Sequence, residues 1–187
     1  MSTLNKRFLS IYLNDHLTVA TIGRDLARRA IRATHDQDEH NRLRKIGREL
    51  AEDAESLREI MRRLEIRVDP IKAFAGWLGE KMGRLKLNGH LLRRSPLSDL
   101  VELEAMSTGV SANLAGWSLL REMAAAAEGL DIHELDRLID RAESQLAVLE
   151  RIRLRVGASA LASDREQEAE FRGDSVIDSA MDALSQR

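Results

Sequence analysis

Between positions 43 and 64, one series of residues, apolar except for a single aspartate, is spaced alternately three and four residues apart. The members of this series are Leu43, Ile46, Leu50, Asp53, Leu57, Ile60 and Leu64. A 3-4 alternation places side chains on one side of an α-helix, whereas a β-strand repeats every two residues. The stretch therefore predicts an amphipathic helix that buries one stripe and carries a single carboxylate, Asp53, within that stripe.

The residues before this series predict a second long helix and a short turn. One helix is expected from about residue 5 to residue 34, with Leu9, Leu13, Ala20, Gly23, Ala27 and Ala30 on its buried stripe. Asp36 is predicted to cap the next helix, with Glu39 as its capping-box partner. That helix should end near "IRVDP", because the residue before a proline is disfavoured in the helical region.

The second half of the chain repeats the arrangement. "SPLSDL" is typical of a helix start, with Pro96 at the first helical position. The third long helix is predicted to end at Glu128, before Gly129, and Asp131 is predicted to cap a fourth that runs to about Leu161.

The connections between these helices predict the fold class. Helices joined by a short turn must pair antiparallel, whereas about thirty residues separate the second helix from the third. We therefore expect an all-α four-helix bundle of two antiparallel hairpins, with a long crossover that contains a short helix through Phe74 and Trp77. Residues 1–162 form the predicted bundle domain. Residues 163–187 form a polar C-terminal tail with at most one short helix.

The composition excludes several classes of partner and chemistry. The net charge of -2 gives no reason to expect a nucleic-acid partner, although an anion or nucleic-acid patch remains an alternative to a solvated connector for the basic segment 81–94. No run of residues is apolar enough to predict a membrane span, and the chain has no cysteine. The absence of thiols fits a reducing compartment, so we predict a cytoplasmic protein without disulfides or cysteine-ligated metal.

The layout and three stretches of sequence resemble a known superfamily. "YLNDHL", "EKMGRLKLNGHLLRRSPLSDLVELEAM" and "RAESQLAVLERIR" are similar to an uncharacterised bacterial group assigned to the ferritin-like fold. The resemblance covers about residues 5–161 and implies a ferritin-like bundle. Active members of that superfamily hold two metal ions with glutamates and with a Glu-x-x-His on each of two helices.

The ligands of such a site are missing from this sequence. None of the five histidines completes a Glu-x-x-His. In the fourth predicted helix, Leu146 follows Glu143 at the third position, and Arg153 follows Glu150. An arginine at an imidazole position repels a cation, so we predict no standard di-metal site and no cofactor.

His16 and Asp53 form the candidate site. If the first turn is centred near His35, the residue numbers of facing positions in the first hairpin sum to about 70, which places His16 beside Asp53. The favoured interpretation is a buried polar pair that fixes the helix register. The alternative is an acid–base or ligand-binding dyad, since a carboxylate would orient the imidazole.

The functional expectation follows from these residues. The protein is predicted to be a non-catalytic binding or assembly protein that forms a homo-oligomer, with a second protein as a further candidate partner. The competing prediction is a metal-handling or oxidoreductase protein with an atypical site near His16 and Asp53. The arginine-rich end of the first hairpin is interpreted as a solvated face, with an acidic partner or self-association as the alternative.

Overall fold

The computed structural model describes residues 5–34, 36–69 and 96–162, and four long helices account for most of them. Their bounds are α1 Lys6–Ala33, α2 Gln37–Arg63, α3 Pro96–Met123 and α4 Ile132–Leu161. These ranges contain no strand, which confirms the all-α class. The expected crossover helix and the C-terminal tail lie outside the described residues.

Short polar side chains begin the helices at the predicted positions. Asp36 accepts a hydrogen bond from the backbone N–H of Glu39 at 2.9 Å, and Asp131 accepts one from the N–H of His133 at 2.9 Å. Both predicted caps are therefore confirmed. The Glu39 side chain, however, pairs with Arg155 of α4 and does not complete a capping box.

Two helix ends differ from the prediction. α2 ends at Arg63, well before Pro70, which was expected to end it. The helix ends there because Glu65 adopts a left-handed conformation with φ of 56°. The N–H of Ile66 then bonds the carbonyl of Met61 at 2.8 Å, as in a Schellman cap. α3 ends at Met123, five residues earlier than expected, and residues 124–131 form turns.

Each helix packs against two neighbours, and every neighbouring pair runs antiparallel. α1 packs on α2 and α3, and α4 packs on α3 and α2. Close approaches at glycines give the registers: Gly47 lies against Ala27, and Gly109 lies against Val19. Consequently α2 and α3 run in the same direction, and the end of α2 and the start of α3 lie at opposite ends of the bundle.

The core is formed by the predicted stripes. The six members of the α1 stripe and the seven members of the α2 stripe are all buried, including Asp53. Trp117 is buried on α3, at 2 % exposure. The loop after α3 closes one end of this core, where Gly129, with φ of 100°, lies against the backbone of Arg63.

Candidate functional site

The register of the first hairpin differs from the prediction by about one helical turn. Gly47 lies against Ala27, and Gly23 lies against Leu50, so the numbers of facing residues sum to 73 or 74 rather than to about 70. At this register His16 is level with Leu57. The two indeed line the same small cavity.

Asp53 is buried between α2 and α4. The side chain is only 2 % exposed. Its carboxylate pairs with Arg141, whose Nε lies 3.1 Å from Oδ1, and it accepts a hydrogen bond from Gln145 at 3.2 Å. Burial raises the pKa of this carboxyl to about 6, although Arg141 and Gln145 oppose the shift.

The Asp53 contacts belong to a polar cluster that joins α2 to α4. Gln145, which is also 2 % exposed, donates to Glu49 at 3.3 Å. Arg141 donates to Glu52 at 2.8 Å. The guanidinium and the amide thus contact three carboxylates of α2 from a single face of α4, although Asp53 Oδ1 makes no hydrogen bond. We define these five side chains as the α2–α4 polar cluster.

His16 faces α3. Its ring lies 4.3 Å, centroid to centroid, from the ring of Tyr12 and is packed against Gly116, where a Cβ atom would lie 3.0 Å from Nδ1. His16 Nδ1 has no hydrogen-bond partner. Burial lowers the pKa of the imidazole, and the nearby Asp15 carboxylate opposes this shift.

The structure therefore does not bring the predicted pair together. Asp53 contacts side chains of α4, whereas His16 packs against Tyr12 of its own helix and against Gly116 of α3. The physical reason is that hairpin arithmetic fixes the level of a residue along the bundle. It does not fix which of two neighbouring helices the side chain faces.

The two polar neighbours of His16 have separate roles. Asn14 is buried and binds the chain that leaves α2: its amide donates to the carbonyl of Arg67 at 3.1 Å and accepts from the N–H of Asp69 at 2.7 Å. Asp15 is exposed. The polar stretch within "IYLNDHL" therefore points in three directions, and Asn14 anchors residues 67–69 to α1.

The chemistry of these residues does not resemble a metal centre. Across residues 5–34, 36–69 and 96–162, no group of three or more histidine and carboxylate side chains is placed to hold a metal ion. In the α2–α4 polar cluster, the guanidinium of Arg141 lies where a cation would have to bind the carboxylates. The arrangement suits interhelical attachment, because opposite charges and hydrogen bonds offset part of the cost of burying Asp53.

A surface that the sequence analysis missed runs along α1 and α3. A second 3-4 series on α3 is partly or fully exposed, although Ala105 and Met123 also pack against the edge of the core. Its members are Val101, Ala105, Thr108, Ala112, Ala115, Leu119 and Met123. Beside it on α1 lie Phe8, Ile11, Asp15, Val19 and Ile22. We define these twelve residues as the outer α1–α3 face.

The outer α1–α3 face is almost free of charge. Asp15 is its single ionisable residue, and residues 105–120 contain none, although 32% of the chain is charged. Phe8 is 66 % exposed, Ile11 54 % and Leu119 43 %. The uncharged run 105–120 was the signal in the sequence that could have revealed this face.

The arginine-rich end of the first hairpin is largely neutralised. Arg28 pairs with Asp25 at 3.2 Å, and Arg42 pairs with Asp38 at 2.8 Å. Arg29 pairs with Glu102 of α3 at 3.4 Å. These contacts agree with the interpretation of a solvated charged face.

Comparison of the chain with protein-family models, with curated proteins and with solved structures gave no significant match. None of the four described helices combines the length and the apolar character that crossing a membrane requires.

Proposed function

We propose that this protein is a ferritin-like bundle that works in the cytoplasm by binding and assembly rather than by catalysis, and that it forms a homo-oligomer through the outer α1–α3 face. The observation that carries the proposal is the exposure of this uncharged face. Large exposed apolar patches on soluble proteins mark interaction sites. The packing order and the common direction of α2 and α3 support the ferritin-like part of the proposal.

The dimensions of the outer α1–α3 face suit a modest interface. At ~1.5 Å per residue, the α3 series from Val101 to Met123 is about 33 Å long. Two helices packed 8–10 Å apart give a width of roughly 15 Å, and hence an area of roughly 500 Å² on each copy. A pair of such faces buries roughly 1,000 Å², the lower limit for a specific complex. We therefore expect a dimer that dissociates on dilution.

The chemistry of the face favours a second copy as the partner. A face with a single carboxylate, Asp15, offers little to select a charged ligand, but its uncharged remainder is complementary to the same surface of a second copy, as a two-fold interface requires. Small side chains occupy its middle, at Thr108, Ala112 and Ala115. Small residues at 3-4 spacing allow two helices to approach closely, while Phe8 and Leu119 provide larger side chains at one end.

Ala115→Glu tests this proposal. A second carboxylate beside Asp15 would be desolvated and repelled in the dimer, so the variant should be monomeric by light scattering at concentrations where the wild type is dimeric. Ala147→Glu is the matched control, because Ala147 is an exposed alanine on the outer side of α4. It should dimerise like the wild type. A wild type that stays monomeric at high concentration would refute assembly, and equal effects of both variants would refute this face.

A further inference from the structure

Three of the seven residues around a small, mainly apolar cavity between α1 and α3 each carry one buried polar atom without a hydrogen-bond partner. The cavity measures about 10 Å³ and is bounded by His16, Asn113 and Trp117, with Leu13, Leu57, Gly116 and Leu120 around them. Asn113 is 4 % exposed and Trp117 is 2 % exposed. His16 Nδ1, Asn113 Oδ1 and Trp117 Nε1 are all buried without a hydrogen-bond partner.

These three atoms define the chemistry of a ligand. An indole Nε1 can only donate, the Asn113 oxygen can only accept, and His16 Nδ1 accepts when the neutral ring carries its proton on Nε2. A matching ligand must accept one hydrogen bond and donate two. A fully deprotonated anion cannot donate to the amide oxygen, and an ammonium ion cannot accept from the indole. A water molecule can do both.

The size of the cavity is at the lower limit for such a ligand. A cavity needs a volume of about 10–15 Å³ to hold one water molecule, and a stable buried water makes about three hydrogen bonds. Burial favours the neutral imidazole, which is the form that can accept at Nδ1. Leaving a buried polar atom without a partner costs about 1–3 kcal/mol, so three such atoms on residues that line one cavity favour a shared ligand.

We infer that His16, Asn113 and Trp117 form a binding site for a single long-lived water molecule that bridges α1 to α3, accepting from Trp117 Nε1 and donating to Asn113 Oδ1 and His16 Nδ1. This site is independent of the proposed interface. It explains why Gly116 faces His16: without a side chain there, the ring can approach α3 closely enough to share a ligand with Asn113 and Trp117.

Water–protein Overhauser spectroscopy on the full chain tests this inference. We expect the indole proton of Trp117 to show a cross-peak to water whose sign is that of a water held for longer than the molecule takes to tumble. Trp117→Phe assigns the signal. Asn113→Leu and His16→Phe each remove one of the proposed acceptors and should abolish the cross-peak. Ser111→Ala, an exposed change on the same helix, should leave it intact.

Each result either supports or overturns the proposed water site. The absence of a long-lived water at Trp117 in the folded wild type overturns the inference, as does a cross-peak that survives in both acceptor variants. If one variant does not fold, the other and the wild type still decide. Nitrogen chemical shifts of His16 give an independent measurement. A neutral ring protonated on Nε2 supports the site, and a ring protonated on Nδ1 contradicts it.

Discussion

At the scale of the residue, Asp53 shows how an isolated polar position in an apolar series becomes a structural contact. The sequence placed this carboxylate in a buried stripe, and burial is confirmed. Its partners could not be predicted, because α2 has two neighbours and the stripe does not say which helix each member faces. Arg141 and Gln145 lie about ninety residues further along the chain, on the far hairpin.

Replacing Asp53 with asparagine should change the pH dependence of stability. Folding raises the pKa of this carboxyl from 3.8 to about 6, so the folded state binds the proton more tightly. The resulting stabilisation is fully present below pH 4 and is lost as the pH rises through 6. Relative to Asp53→Asn, the wild type should lose of the order of 1–3 kcal/mol of unfolding free energy between pH 4 and 7. Urea denaturation at both pH values measures this difference, and parallel profiles would contradict it.

Because His16 packs against Gly116, the effect of Gly116→Ala on stability should change sign when His16 is removed. Gly116→Ala puts a Cβ atom 3.0 Å from the imidazole, so the ring must shift and the variant should lose about 1 kcal/mol of stability. In a His16→Ala background the obstacle is gone. The same Gly116→Ala change should then stabilise the protein by up to about 1 kcal/mol, because alanine is the better helix former.

Chemical denaturation of the wild type, the two single variants and the double variant gives the coupling between these positions. Equal effects of Gly116→Ala in both backgrounds would show that His16 does not pack against α3.

At the scale of the element, the helix boundaries were predictable where a side chain makes a local hydrogen bond. Asp36 and Asp131 were recognised as caps because their bonds span only two or three residues. The end of α2 was misattributed to Pro70, since nothing in the sequence indicates that Glu65 takes a left-handed conformation. Glu39 was assigned a local bond, but its partner Arg155 comes from another helix and depends on the tertiary fold.

The cap at Glu65 gives a prediction that distinguishes it from an ordinary helical position. A residue with a Cβ atom is strained at φ of 56°, and glycine is not, so Glu65→Gly should stabilise the protein by about 0.5–1 kcal/mol. The exposed ion pair with Lys6 contributes little to oppose this gain. Glu55→Gly is the matched control inside α2 and should destabilise by about 1 kcal/mol. Thermal unfolding of both variants should give shifts of opposite sign.

At the scale of the whole molecule, the order of the helices and their buried faces could be predicted, since each follows from periodicity and turn length. The register of the first hairpin could not, because it depends on close contacts at Gly23 and Gly47 that shift the pairing by one turn. The outer α1–α3 face was overlooked for a different reason. Its α3 series consists largely of small residues, whose weak apolar character does not stand out in a sequence.

The α2–α4 polar cluster also has a consequence for the order in which the protein matures during synthesis. α1 and α2 leave the ribosome long before α4, which supplies Arg141 and Gln145. Until then Asp53 has no partner to compensate for burial, and its carboxylate keeps the adjoining face of the nascent hairpin hydrated. We therefore expect the Asp53 charge to disfavour association of the α1–α2 hairpin before the second hairpin is synthesised. The arrival of the second hairpin then allows that face to lose its water.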